Sequence, residues 1–216
     1  MAITIAREEL RESILDAANR LLARYGYRKM TMDDVATEAG IGKGTIYLCF
    51  PSKEEVALST IDRLVERWLE RMREIARTQG DPRERLRQML VERVMYRFDH
   101  HSHGTQSIDE LMSALRASFL ARRERYFESE AAELAHAIED GVARGQFRGG
   151  DPLAIARAFV VATNGLLPSS LSPAELGNRD HVAARAEHVA HLLLFGLSPS
   201  TERPVDGKHS GGDSPS

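Results

Sequence analysis

Thr31-Met-Asp-Asp-Val-Ala-Thr-Glu-Ala-Gly-Ile-Gly-Lys-Gly-Thr-Ile-Tyr-Leu-Cys-Phe-Pro-Ser-Lys53 is the stretch from which the fold is read. Thr31 is a good N-cap. Val35, Ala36 and Ala39 follow at helical spacing, and Gly40 stops the segment where a positive backbone angle is cheap. A second short helix follows at once and is closed by Pro51. Small residues (Gly42, Gly44) sit at its start, Lys43, Thr45 and Tyr47 supply polar groups, and Ile46 and Phe50, four apart, share its apolar side. Two short helices joined by a glycine turn make a helix-turn-helix. Small residues let the second helix approach a groove closely, and Lys, Thr and Tyr donate to phosphates and base edges.

Working outward, Gly26 ends a preceding amphipathic helix from about Arg7 to Tyr25, whose face carries Leu10, Ile14, Ala17, Ala18, Leu21 and Leu22. With Thr31-Met32, Val35-Ala36, Ala39-Gly40, Gly44-Thr45-Ile46-Tyr47, Phe50 and Ser52-Lys53-Glu54, this segment resembles the DNA-binding domain of the TetR family of transcriptional regulators. Only the N-terminal part of the chain carries that signature. The resemblance implies a three-helix reading head, a C-terminal helical domain for ligand binding and dimerisation, and phosphate contacts from Tyr47 and Lys53.

Elementary chemistry adds further candidates. Thr31 and Met32 open a helix whose free backbone donors suit an anion, and Arg28 flanks them with Lys29. Lys43 suits guanine acceptors, Thr45 suits a thymine methyl, and Gly44 allows close approach. Two positions depart from the family's commonest pattern. Cys49 stands where a His or Tyr is usual, which removes a polar contact or replaces it with a thiol, and Leu48 is apolar on the reading helix.

Over 216 residues, 42% are hydrophobic, enough for a sizeable core. Ala, Leu, Arg and Glu recur with a helical period, and no alternating β pattern occurs, so an all-α protein is expected. No apolar run suits a membrane span or an export signal, which makes a cytoplasmic protein the default. Cys49 is the one cysteine, excluding an intrachain disulfide. The net charge of −3 argues against whole-molecule attraction to nucleic acid, yet from Arg20 to Lys53 six basic residues face three acidic ones. No nucleophile triad, phosphate loop or metal-helix motif is present, so no catalysis, metal or cofactor is expected. A helical interaction or ligand-carrier module is the competing reading.

The domains are expected at 1–51 and 52–197, with a disordered Ser/Pro/Gly-rich tail at 198–216. Ser52 and Glu55 begin a connecting helix over about 52–77, about 40 Å long. Further helical segments follow Pro82, Ser107, Leu115, Asp151-Pro152 and Asn178, giving nine helices split three plus six. Met and aromatic side chains at Trp68, Met72, Met89, Tyr96, Met112, Phe119, Tyr126 and Phe159 suggest an adaptable cavity for a small apolar ligand. On the last two helices, Ala156, Phe159, Val160 and Thr163, with Ala186, Val189, Ala190 and Leu193, form stripes expected to build a two-fold homodimer. A dimer suits a palindromic duplex. His100, His101 and His103 read as part of a solvated loop rather than a metal site.

Overall fold

The computed structural model describes residues 2–101, 111, 113–170, 175 and 177–199. Among them the long regular elements are eight α-helices: α1 (Ala2–Lys29), α2 (Met32–Glu38), α3 (Lys43–Cys49), α4 (Lys53–Arg77), α5 (Pro82–His101), α6 (Arg116–Ala143), α7 (Pro152–Asn164) and α8 (Arg179–Gly196). The short helix expected after Ser107 lies mostly outside the described residues, although Leu111, Ser113 and Ala114 are helical. Residues 200–216 also lie outside them.

Local chemistry sets the N-terminal boundaries. At Gly26 the backbone leaves the helical region (φ 79°, ψ 167°), a conformation open to glycine, so the chain bends sharply before Tyr27. Thr31 closes a capping box. Its hydroxyl accepts from the Asp34 amide at 3.1 Å, and the Asp34 carboxylate accepts from the Thr31 amide at 3.0 Å. Gly40 (φ 70°) turns the chain into α3. Ser52 caps α4 by accepting from the Glu55 amide at 3.1 Å.

Two cores result. The lower one joins Ile14, Ala18 and Leu21 of α1, Val35 and Ala36 of α2, Ile46 of α3 and Phe50 to Val56, Ala57 and Leu58 of α4. Leu111 and Leu115, far away in sequence, complete it. The upper core gathers Trp68, Met72 and Ile75 of α4, Leu86, Met89 and Leu90 of α5, Leu134 and Ile138 of α6, Phe159 and Val160 of α7, and Ala190 and Leu194 of α8. Ile61 touches both. Arg63 of α4, only 5% exposed, ties the connector to α1 by donating to Asp16 Oδ1 at 2.8 Å and Glu12 Oε2 at 3.1 Å.

The helix α5 runs on through His101, which corrects the loop expected from His100 onward. Nothing between Phe98 and His101 breaks a helix. The His100 ring stacks on Tyr96 at 4.1 Å, and its Nδ1 lies 2.7 Å from the Tyr96 carbonyl oxygen. No group of three potential metal ligands forms among the described residues, and His103 lies outside them. None of the described helices is long and apolar enough to cross a membrane.

Candidate nucleic-acid interface

Of the seven residues of α3, Ile46 is fully buried and anchors the helix in the lower core, as Phe50 does at its C-cap. The opposite face carries Lys43, Gly44, Tyr47 and Leu48. Tyr47 is 48% exposed and Leu48 77%. A Cβ at Gly44 would meet nothing within 4 Å, so the surface there is open to another molecule. Lys43 Nζ donates to Asp33 Oδ2 of α2 at 2.8 Å, and that bond pushes the ammonium above the ordinary lysine range. Both partners are well exposed, so water and salt screen the pair and a phosphate or guanine edge can replace the carboxylate. Thr45 is half-buried and presents less to a groove than its spacing suggested.

The phosphate candidates divide by their internal commitments. Thr31 is exposed but its hydroxyl is engaged with Asp34, donating to Oδ2 at 2.6 Å. The Met32 side chain is 8% exposed and packs in the lower core, leaving only its backbone amide for an anion. Lys53 Nζ donates to the Tyr27 carbonyl at 3.1 Å and lies 4.4 Å from the centre of the Tyr27 ring. It also donates to the Arg28 carbonyl at 3.4 Å, so it pins the bend after Gly26 and keeps one donor for the surface. Arg28 is exposed. Cys49 is half-buried against the lower core, a packing position.

Between this surface and the upper core runs α6. Its Phe119 packs on the lower core with Leu115, so Phe119 does not belong with Trp68, where the expected cavity had placed it. Ser118 donates to Glu54 Oε1 at 2.6 Å and Arg122 to Glu55 Oε2 at 2.7 Å, both on the first turn of α4. Arg122 and Tyr126 also donate to Asp62. Burial, then the bond to Asp62, pushes the Tyr126 phenol well above its ordinary range, so it stays a donor. Of the other expected cavity residues, Trp68, Met72, Met89 and Phe159 meet in the upper core, Tyr96 and Tyr126 pack against it, and Met112 lies outside the described residues.

Residues 14–60 match the family model for bacterial regulatory proteins of the tetR family, and residues 79–167 match the tetracyclin repressor-like C-terminal domain. The chain belongs to the TetR family of transcriptional regulators. It is 35% identical over 106 residues to the transcriptional activator FasR of Mycolicibacterium smegmatis, covering 49% of this chain and about half (48%) of that one. The fatty acid metabolism regulator protein of Bacillus subtilis is 26% identical over 188 residues, 85% of this chain and 93% of that one. A solved structure described as the molecular basis for control of antibiotic production by bacterial hormones superposes with a TM-score of 0.65 at 30% identity, covering 88% and 98% of the two chains. The relatives are DNA-binding regulators, not enzymes, and so is this chain.

TetR-family regulators bind DNA as dimers, and here the expected dimer stripes need correction. Ala156, Phe159, Val160, Thr163, Ala186 and Ala190 are all at most 5% exposed within one chain, and Val189 and Leu193 are half-buried. They are core. Both helices also carry apolar residues on a second face, and that face is the open one. On α7 it carries Ala154, Ala158, Val161 and Ala162, with Gly165 just beyond, and on α8 it carries Ala184, His188, Leu192 and Phe195. Val161, Leu192 and Phe195 are 69%, 68% and 72% exposed.

Proposed function

We propose that this TetR-family chain is a homodimeric, ligand-responsive repressor that reads a palindromic DNA operator in the cytoplasm. The observation that carries the reading is α3, fixed from behind by Ile46 and Phe50 and presenting Lys43, Gly44, Tyr47 and Leu48 outward. Lys43 reads guanine acceptors, Leu48 meets a thymine methyl, and Tyr47 holds a phosphate. Residues 1–51 form the reading head and residues 52–197 the sensing and dimerising unit. The second apolar face of α7 and α8 meets its copy across a two-fold axis and sets the reading helices about 34–36 Å apart, one turn of DNA.

The ligand enters the upper core around Trp68, Met72, Met89 and Phe159. A relative named for fatty acid metabolism along most of its length supports a ligand with an apolar chain. The ligand moves α6, and α6 moves the reading head through Arg122, Tyr126, Leu115 and Phe119. A coupling of about 1–3 kcal/mol lowers operator affinity about 5- to 150-fold. The test is selection from random duplexes with wild type and Lys43→Ala. A palindrome enriched by wild type and degraded in the variant supports the reading, and no enrichment at low salt overturns it.

The name of the M. smegmatis relative favours a second reading, activation. Transcription in vitro from a template carrying the selected operator separates the two by its sign.

A further inference from the structure

Three charged side chains in the upper core stand apart from every DNA-facing group. Arg93 and Arg97 lie one turn apart on α5, and Glu130 faces them from α6. Arg93 and Glu130 are 0% exposed, and the Arg97 side chain only 14%. Arg93 donates to Glu130 Oε2 at 2.9 Å and to Thr163 Oγ1 at 2.9 Å. Arg97 donates to Glu130 Oε1 and to the Arg93 carbonyl at 3.1 Å.

Two guanidiniums therefore share one carboxylate, and one positive charge is left over. Burial alone would raise the Glu130 carboxyl, but Arg93 and Arg97 together hold it below the ordinary carboxylate range, so Glu130 is ionised and already committed to both. Burial pulls Arg93 down against Glu130, yet a guanidinium stays protonated at neutral pH. An ion removed from water needs a counter-charge close by. Arg97, the more exposed of the pair, has N–H groups of its five-donor fork beyond the two bonds it makes.

A second, independent demand lies beside it. The Trp68 side chain is 0% exposed, and among the described residues its buried Nε1–H has no hydrogen-bond partner. Buried N–H groups without an acceptor are rare and costly. The Arg97 guanidinium lies 5.8 Å from the centre of the Trp68 indole, and the Tyr96 ring 5.6 Å from it. The orphan donor calls for an acceptor, and the surplus cation calls for that acceptor to be an anion. Trp68 shares its core cluster with Met72, Met89, Leu134 and Phe159, and that side calls for hydrocarbon.

We propose that the corner formed by Arg97 and Trp68 is the head-group site for a carboxylate carrying an apolar tail, the tail lying among Met72, Met89 and Phe159. This deepens the ligand-responsive reading above and rests on it. A carboxylate on Arg97 competes with Glu130 for the same guanidinium and loosens the link between α5 and α6. Tyr126, one turn before Glu130 on α6, carries that change to Asp62 of α4.

Trp68 is the chain's one tryptophan, which makes the site its own reporter. Its fluorescence is followed in the full chain, without DNA, during titration with palmitate, methyl palmitate and palmitoyl-coenzyme A. Palmitate should bind at least about tenfold more tightly than the methyl ester, the loss expected when a charge-assisted bond is removed. Arg97→Met should bring the two affinities together while the ester binds as before. Arg97→Lys, which keeps the charge, should retain part of the preference and covers the case in which the methionine variant does not fold. Equal binding of acid and ester to wild type, no response to any probe, or a preference that survives Arg97→Met overturns the proposal. Tight binding of the coenzyme A thioester alone also overturns it, because the anion would then be read elsewhere. An enriched operator without a palmitate preference sinks this site and spares the regulator, and the converse result does the opposite.

Discussion

Replacing Phe195 by alanine tests where the two copies meet. Phe195 is 72% exposed on α8, outside both cores. A phenylalanine side chain offers about 200 Å² for burial, so about 140 Å² is free for a partner to cover. At about 25 cal/mol/Å², full coverage is worth about 3.5 kcal/mol. The methyl group that alanine keeps, and incomplete coverage, reduce the loss to about 2 kcal/mol per copy. Two-fold symmetry counts it twice, giving about 4 kcal/mol and about a thousandfold weaker dimer. Sedimentation velocity over a dilution series measures that constant, and circular dichroism of the monomer at low concentration should show an unchanged fold. A dimer constant within threefold of wild type, with the monomer intact, would refute the assignment of this face. Operator affinity should fall with the dimer, since each half-site then binds alone.

Glu130→Gln leaves Arg93 and Arg97 buried without a counter-charge and should cost about 3–5 kcal/mol, read as a lower urea midpoint. The folded-state pKa of Glu130 lies below its ordinary 4.5, so its stabilisation is complete above that pH and fades as pH falls further; urea midpoints should drop with acid in wild type and lose that component in the variant. Gly141→Ala would set a methyl against Phe147 Cδ2 and force that buried ring aside, a loss of about 1–3 kcal/mol measurable by thermal melting. Gly26→Ala must hold φ near 79° and should cost about 1–3 kcal/mol; an unchanged melting temperature would show that the bend relaxes freely. Tyr47→Phe should weaken all duplexes alike, whereas Lys43→Ala should relax preference at one base position by about 1–3 kcal/mol, which competition titrations with single-base operator variants distinguish.

The reading head was legible because its signals are local. Thr31 with Asp34, Gly26, Gly40, and Ile46 with Phe50 each act within one turn of where they stand in sequence. Partners reached through space were not legible. Nothing in Lys53 or its neighbours announces that its ammonium lies on the Tyr27 carbonyl, and nothing near Phe119 says which core it joins. On α7, Ala156, Phe159 and Val160 face inward while Ala158, Val161 and Ala162 face out. Both sets are apolar at helical spacing, so periodicity alone had no means of choosing, and it chose the inner one. The charged triad escaped notice for a related reason: Arg93, Arg97 and Glu130 sit in a chain rich in Arg and Glu, and burial is what sets them apart.

Leu111 and Leu115, which follow the connector and α5 in sequence, complete the lower core. The reading head is therefore not self-sufficient. A hybrid regulator spliced at residue 51, carrying this head on another family member's sensing unit, would inherit a gap wherever that unit lacked matching side chains before its own α6. Changing what such a protein senses while keeping what it reads means transplanting the start of α6 together with the head, or redesigning the two surfaces as one.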